Sequence, residues 1–286
     1  MLLKDAVTKR SAALRRQGRS ERTIEWYELW LQRLDDYLLF KDLDQITLTQ
    51  LRCWVDDLIE SGLQATSIRG AAMTAKVFFK WCVKEGYLKT NPAERLELME
   101  RPQRVPDTLT TSEVLALVNA TVGSQNPERD LALVVFLTET GCRCSEVVNL
   151  QIGHLNVDGC CATVLGKGNK QRFVFFGEVT QRALRAWLEV RQVEGTSLFG
   201  LTEWGIRQAL ERLGDRVGVH ANPHKFRRTS ATLTADNGAS AFFLQQKMGW
   251  ASIDMAEYYV NRAQLEQRSR TTSPMDRLFQ HKQMSN

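Results

Sequence analysis

The sequence lacks the features of a membrane, secreted or metal-binding protein. No run approaches the 18 or so apolar residues that a membrane span needs, and the opening MLLKDAVTKR carries charges too early for a signal peptide. The six cysteines form no CxxC pair, and the clusters Cys142–Cys144 and Cys160–Cys161 lack the spacing of a zinc site. We therefore expect a cytoplasmic protein without a metal, whose cysteines are reduced structural thiols.

Internal repeats and low-complexity segments are also missing, and what remains is typical of a globular chain. Its 286 residues are enough for two domains, and a hydrophobic content of 43% can form a sizeable core. The formal charge of +5 favours a polyanionic partner only mildly. Charges of alternating sign on solvated helices explain most of these residues without any ligand.

Helical patterns fill the first hundred residues. Apolar residues recur at helical spacing after Ser20, and Thr47 with Gln50 forms a T-x-x-Q capping box ahead of the next apolar stripe. A further helix is predicted from about Ser67. We expect a small domain of four helices over residues 1–100.

A second domain follows a proline-containing linker. Residues 101–109 contain two prolines and little apolar content, which is typical of an extended linker. Thr110 and Glu113 then form a T-x-x-E capping box, which opens a domain predicted to span residues 110–286.

The second domain is predicted to combine helices with a small sheet. Pro127 starts a helix that Gly141 ends. The spacing of apolar residues then no longer fits a helix. CATVLG and QRFVFF are predicted to be two short strands joined through residues 167–170. Helices return after Glu178, so the fold class is mainly α with a small antiparallel β-sheet.

Four segments of this domain contain residues that could perform chemistry: Thr140–Glu146 (TGCRCSE), Gly166–Lys170 (GKGNK), Pro223–Arg227 (PHKFR) and Met248–Val260 (MGWASIDMAEYYV). Each is weak evidence alone. An H-x-x-R box recurs by chance, a lysine in a tight turn is usually solvated, and tyrosines on amphipathic helices are usually packing residues. Their order and spacing together are more specific.

Together these motifs resemble the tyrosine recombinase family, also called phage integrases, and the resemblance covers nearly the whole chain. Arg143 stands in the family pattern T-G-x-R-x-S-E, and Lys167 stands in the hairpin pattern G-K-G-x-K. His224 and Arg227 fill the H-x-x-R box. The resemblance implies an N-terminal helical core-binding, SAM-like domain followed by a catalytic domain.

The family pattern also selects one of two adjacent tyrosines. Its nucleophile stands nine residues after the variable position of G-[HW]-x-S-I, which here is Trp250, and the count reaches Tyr259 rather than Tyr258. Adjacent helical residues point about 100° apart, so both tyrosines cannot face one site. Tyr259 shares its face with Met255, beside an apolar stripe, whereas Tyr258 lies with polar residues.

The resemblance implies a site-specific recombinase that cleaves and rejoins DNA through a 3′-phosphotyrosyl intermediate, with no cofactor, metal or ATP. Arg143 and Arg227 would offset the charge that gathers on the phosphate oxygens. His224 would act as a base or proton relay, and Lys167 would protonate the leaving 5′-oxygen. Glu146 would orient the arginines, although a simple acidic residue at a helix N-terminus explains it equally well.

Two departures from the common pattern concern positions beside the expected site. Trp250 stands where many members have histidine, and its indole can donate one hydrogen bond but cannot exchange a proton near neutrality. We therefore expect Trp250 to support the site by packing. Cys142 and Cys144 flank Arg143 where aliphatic residues are usual, which suits small buried hydrophobes and raises a minor possibility of redox sensitivity.

Family members clamp double-stranded DNA between their two domains, which implies several phosphate contacts. The candidates are Arg101 and Arg104 in the linker, Lys170 in the hairpin, and Lys76 and Lys80 on the helix expected to enter the major groove. For each of them a solvated surface position is an equally good explanation.

The resemblance further implies four protomers acting on two DNA sites, with a C-terminal tail that docks on a neighbouring protomer. Met275, Leu278 and Phe279 give that tail an apolar stripe. We expect a simple recombinase of the resolvase or Xer-like kind, while integration, excision and resolution all stay open. Two other readings stay open as well: a type IB topoisomerase, and a catalytically idle DNA-binding relative.

Overall fold

The computed structural model describes residues 1–100, 106–166 and 171–271, together with Met275. Contacts divide the chain into two compact units, Met1–Arg104 and Val105–Asn286. The side chains of Arg268, Arg270 and Thr271 are not described. Most of the predicted linker, the predicted turn 167–170 and most of the tail lie outside the described residues.

The first unit is helical throughout its described length. Its helices are α1 (Leu3–Arg16), α2 (Glu21–Tyr37), α3 (Leu48–Glu60) and α4 (Ala65–Lys84), with a short 3₁₀ helix at Leu43–Gln45 between α2 and α3. Their inward faces bury the large side chains of Trp54, Phe78 and Phe79, each at most 1% exposed. The predicted four-helix arrangement of this region is confirmed.

A local capping signal explains where α3 begins. The Thr47 hydroxyl accepts a hydrogen bond from the Gln50 amide at 3.3 Å, and the Gln50 side chain accepts one from the Thr47 amide at 3.1 Å. This capping box confirms the predicted start of α3. By contrast, α4 begins at Ala65, two residues before the predicted Ser67.

The second unit consists mainly of helices. They are α5 (Thr111–Ala120), α6 (Pro127–Thr140), α7 (Cys144–Val148), α8 (Glu178–Val190), α9 (Glu203–Val217), α10 (Pro223–Asp236), α11 (Ala241–Met248) and α12 (Asp254–Thr271). Thr110 and Glu113 form the predicted capping box of α5. Pro127 opens α6 and Gly141 ends it with a φ of 60°, as predicted.

A small antiparallel sheet stands between α7 and α8. Its strands are β1 (Leu155–Asn156), β2 (Cys161–Leu165) and β3 (Gln171–Phe175), in the order β1-β2-β3. Thr163 pairs with Phe173 at the middle of the β2–β3 ladder. The sequence predicted β2 and β3 but not β1, because two residues are too few to show an alternating pattern.

Helix α6 lies at the centre of the second unit. It packs against α5, α8, α9 and α10, and every residue from 132 to 137 is at most 8% exposed. A helix that is apolar on all sides must be surrounded by other elements. The C-terminal end of α6, from which the 140–146 motif continues, is therefore fixed by packing.

Two residues of the predicted linker belong to the second unit and bond to α10. The Leu109 amide donates to the Thr229 hydroxyl at 2.7 Å, and the Lys225 ammonium lies 3.2 Å from the Asp107 carboxylate. Asp107 and Leu109 fall within the expected linker 101–109, but both are tied to α10.

Residues 1–100, 106–166 and 171–271 contain neither a membrane-spanning helix nor a cluster of metal ligands. There, no helix combines the length and apolarity needed to cross a bilayer. Nor do three or more His, Cys, Asp or Glu side chains in those ranges come together as candidate metal ligands.

Candidate active site

Three arginines meet at the C-terminal end of α11. Successive backbone carbonyls accept from them: Lys247 from Arg172 at 2.7 Å, Met248 from Arg227, and Gly249 from Arg143 at 3.2 Å. Gly249 ends the helix with a φ of 59°. The last carbonyls of a helix lack partners within it and carry partial negative charge, so they suit guanidinium groups.

Glu146 links two of these arginines. Its carboxylate is buried and accepts from the Arg143 amide at 2.7 Å, from the Arg143 guanidinium at 2.9 Å and from Arg172 at 2.8 Å. Burial raises the pKa of this carboxyl, but the charges and hydrogen bonds of Arg172 and Arg143 outweigh it and hold the pKa below its usual value. Glu146 therefore stays ionised and fixes both guanidinium groups.

Arg227 is the most enclosed of the three arginines. It lies in the first turns of α10, is 8% exposed, and donates to the carbonyls of Gly141 and Met248. Burial, followed by the nearby charge of Arg143, lowers its pKa to about 10, which leaves it charged at neutral pH. A fixed positive charge of this kind is suited to stabilising a developing anion.

Gly141 fits this arrangement for steric reasons. Its φ of 60° is rarely adopted by other residues. A Cβ here would lie 2.8 Å from the Met248 methyl group and 3.0 Å from the Ser230 hydroxyl. The glycine thus brings its carbonyl close enough to accept from Arg227.

Trp250 and Tyr259 stack beside Arg227. Their ring centroids are 5.6 Å apart with planes 13° from parallel, and the Arg227 guanidinium lies 5.8 Å from the Trp250 ring centre. Tyr259 is only 4% exposed, whereas Tyr258 is 43% exposed and meets the Tyr259 ring at right angles. The two tyrosines thus face different surroundings, and Tyr259 lies on the side of the arginine cluster.

The environment of Tyr259 keeps its hydroxyl protonated. Burial raises the pKa of this tyrosine, and the positive charges of Arg228, Arg227 and Arg262 offset the increase only in part. An ordinary tyrosine is already ionised to only about one part in a thousand at neutral pH. Reaction as a nucleophile would therefore require a proton acceptor and a more exposed side chain.

His224 lies close enough to the arginine cluster for its charges to act on the imidazole. It is exposed and occupies the second position of α10, after Pro223. Partial burial and the positive charges of Arg228, Arg207 and Arg227 lower the pKa of its imidazole. The ring is therefore neutral at neutral pH, which is the form that can accept a proton.

Arg172 was not among the candidates predicted from the sequence. Its inward position is seen only in the structure: on β3 the side chains of Phe173 and Phe175 are 65% and 68% exposed, whereas Val174 is buried. Arg172 is in phase with Val174, so a charge falls on the inward face of a strand whose aromatic residues point outward.

Cys142 and Cys144 behave as packing residues. Burial raises the pKa of each thiol to about 11. Since the thiolate is the form that reacts, both are poor targets for oxidation or alkylation at neutral pH. These values argue against redox sensitivity at the site.

The structure describes two of the five predicted DNA contacts. Lys80 is exposed on α4. The Lys76 ammonium instead donates to the backbone carbonyls of Glu94 and Leu96 at 2.7 and 2.8 Å, so it holds the end of the first unit in place. The remaining predicted site residues, Lys167, Lys170, Arg101 and Arg104, lie outside the described residues.

Comparisons with known proteins agree over both units. The Phage integrase family model matches residues 107–266, and that of the phage integrase N-terminal SAM-like domain matches residues 12–86. Tyrosine recombinase XerC of Corynebacterium glutamicum is 30% identical over 256 residues, which cover 85% of this chain and 82% of the relative. XerC of Mycobacterium tuberculosis is 30% identical over 271 residues, covering 86% and 90%.

Solved structures share the fold at lower identity. XerH bound to a palindromic difH substrate has a TM-score of 0.75 and 20% identity, and the match covers 93% of this chain and 85% of that one. A lambda integrase dimer bound to a COC′ core site has a TM-score of 0.73 and 20% identity, covering 89% and 97%. The family matches, extending over most of both units, identify the chain as a member of the phage integrase family, the tyrosine recombinases, which are enzymes of DNA recombination.

Proposed function

We propose that this recombinase exchanges DNA strands at specific sites through a 3′-phosphotyrosyl intermediate, with Tyr259 as nucleophile. The observation that supports this most strongly is the convergence of Arg143, Arg227 and Glu146 beside the stacked pair of Trp250 and Tyr259. Positive charge and a tyrosine hydroxyl are the groups that this reaction requires.

The proposed chemistry proceeds by transesterification. The Tyr259 oxygen attacks a phosphodiester, a bond forms between that oxygen and phosphorus, and the bond to the 5′-oxygen breaks. Arg143 and Arg227 stabilise the charge on the non-bridging oxygens in the five-coordinate transition state. The energy of the broken bond is kept in the phosphotyrosyl link, so strands can be rejoined without ATP, and on this proposal no metal is needed.

Proton transfers complete the step. His224, neutral at neutral pH, accepts or relays the proton of Tyr259, and Lys167 gives a proton to the leaving 5′-oxygen. Glu146 orients Arg143. Trp250 supports Tyr259 by stacking.

The pH dependence of cleavage follows from the lowered pKa of His224. A base works only when it is unprotonated, so the rate should rise with pH through a pKa below the ordinary 6.5 and be flat from about pH 7 to 8. Single-turnover cleavage measured against pH checks this. His224→Gln should cleave slowly, and its rate should no longer rise with pH in the acidic range. A wild-type rise centred above pH 6.5 would contradict the assignment of His224 as the base.

We propose that residues 1–100 and residues 110–286 both contact double-stranded DNA, and that residues 101–109 link them. Of the two predicted lysines that the structure describes, Lys80 is exposed and would contact a phosphate, with Arg101, Arg104 and Lys170 as further contacts by family resemblance. Lys76 would contact DNA only by giving up its carbonyl partners.

On the same proposal, four protomers assemble on two sites in the cytoplasm. The tail, of which Met275 is described and exposed, joins neighbouring protomers in that assembly.

The proposal is tested with a plasmid that carries two copies of a target site. The site is first recovered by binding selection from a randomised duplex library. The expected result is deletion or inversion between the copies, with no exchange when one copy is scrambled. Relaxation of supercoils without exchange would favour a topoisomerase, and binding without cleavage would favour an idle relative; either result overturns the proposal.

A further inference from the structure

Arg172 joins three parts of the second unit at one guanidinium. Its side chain is 14% exposed. It donates to the Glu146 carboxylate of α7 at 2.8 Å and to the Lys247 carbonyl of α11 at 2.7 Å, and lies 3.8 Å from the Cys142 sulfur. Because β3 supplies this arginine, the sheet is tied directly to the residues around Arg143.

Arg143 and Arg172 both donate to the Glu146 carboxylate, but in different ways. The Arg143 guanidinium makes one bond, to Oε1 at 2.9 Å, and the Arg143 backbone amide donates to Oε2 at 2.7 Å. Arg172 donates to Oε2 at 2.8 Å and, through a longer bond, to Oε1 at 3.4 Å. The Arg143 side chain is 32% exposed, more than twice the exposure of Arg172. Arg143 can therefore meet a phosphate, while Arg172 is committed to protein acceptors.

Gly249 packs closely against this pair of arginines. A Cβ at that position would lie 2.9 Å from the Arg172 Cδ and 3.8 Å from the Arg143 Nη1. The turn after α11 therefore lies against the stem of Arg172 and near the guanidinium of Arg143, and leaves no room for a side chain at this position.

We propose that Arg172 is a positioning residue for the recombination reaction, acting on phosphate through Glu146 and Arg143. This inference rests on the proposed function. Arg172 pairs with both oxygens of Glu146, most closely with Oε2, which leaves the Arg143 guanidinium a single bond to Oε1 and its second amino group on the Gly249 carbonyl. Without Arg172, the carboxylate would draw Arg143 into a two-pronged pair and turn it away from the DNA.

Two substitutions test this role, with a matched control. Arg172→Met removes the charge and the fork, whereas Arg172→Lys keeps a charge beside the buried Glu146 but cannot supply the planar fork. Arg172→Lys therefore serves as the test if Arg172→Met does not fold, as judged by thermal melting. Arg185→Met is the control, because Arg185 forms an exposed ion pair with Asp158 in the same unit.

The readout is the single-turnover rate of covalent cleavage at saturating DNA. We expect both Arg172 variants to lose roughly 10- to 100-fold, as outer-shell partners do at metal sites, with DNA affinity little changed. Arg185→Met should match the wild type. Adding either substitution to Arg143→Ala should cause no further loss, since residues that act through one another are not additive.

Modified substrates identify which step the loss affects. A methylphosphonate at the scissile position removes one negative charge, so the deficit of the Arg172 variants should shrink there, as for Arg143→Ala. A 5′-phosphorothiolate has a leaving sulfur that needs no acid, and the deficit should persist on it.

The inference would be overturned if the rate deficit of the Arg172 variants disappeared on the phosphorothiolate. It would also be overturned if that deficit were equal on the unmodified DNA, the methylphosphonate and the phosphorothiolate. Arg172 variants as fast as Arg185→Met would overturn it as well. Failure of the wild type to form a covalent complex would instead refute the proposed function itself.

Discussion

Tyr259→Phe is expected to abolish covalent cleavage and strand exchange while leaving the fold intact. Phenylalanine keeps the ring that stacks on Trp250 at 5.6 Å and removes only the hydroxyl oxygen that would bond to phosphorus. Since nothing else in the proposed reaction can take that oxygen's place, the expected loss is complete within detection.

Tyr258→Phe provides the matched control for this prediction. Its ring is 43% exposed and lies at right angles to that of Tyr259, so loss of its hydroxyl should leave cleavage near the wild-type rate. The measurement is formation of a covalent protein–DNA band from a nicked suicide substrate. A band that survives Tyr259→Phe and vanishes with Tyr258→Phe would place the nucleophile one residue earlier.

A second large loss of cleavage rate is expected when Arg227 or Arg143 is replaced. Arg227→Ala or Arg143→Ala should slow cleavage by roughly 10³- to 10⁵-fold, by analogy with arginine fingers in phosphoryl transfer. Arg227→Lys should fail to restore activity, because an ammonium cannot serve both the Gly141 and Met248 carbonyls and still present a planar fork to phosphate.

Loss of Arg227 should also lower thermal stability. Its guanidinium is buried among carbonyls that would be left without a donor, which costs about 1–3 kcal/mol for each such group. Arg216→Lys is a suitable control, since Arg216 donates to the Val122 carbonyl at an exposed position. Cleavage by Arg227→Lys within tenfold of the wild type would contradict the proposed role of the Arg227 guanidinium in stabilising the phosphate charge.

Local signals in the sequence predicted much of the fold. The capping boxes at Thr47 and Thr110 involve residues three apart, so their geometry is already contained in short segments. The same holds for Gly141, where the end of α6 and the start of the arginine motif are adjacent.

Contacts between distant segments could not be predicted in this way. Arg172 reaches Glu146 and Lys247 across 26 and 75 positions of the chain, and Lys76 reaches the carbonyl of Leu96 across 20. Which acceptor captures a long cationic side chain depends on tertiary packing, which periodicity does not specify. For this reason the sequence showed neither the carbonyl partners of Lys76 nor the contacts of Arg172 with Glu146 and Lys247.

The two tyrosines illustrate the same limit. Helical periodicity separates the faces of Tyr258 and Tyr259 but does not tell which face turns inward, because α12 carries exposed apolar residues such as Met255 and Leu265. The family spacing selected Tyr259, and the structure gives that residue 4% exposure beside Arg227 and Trp250. The choice between them as nucleophile is chemical and stays a prediction.

Mapping the residue that bears DNA would test the central claim most directly. The wild-type covalent complex is digested with protease and nuclease, and the peptide that retains a nucleotide is sequenced by mass spectrometry. We predict a single modified residue, Tyr259, linked through a 3′-phosphate and lost in Tyr259→Phe. A nucleotide on Tyr258, or on any serine or cysteine of the 142–145 segment, would contradict the assignment of the nucleophile and the mechanism built on it.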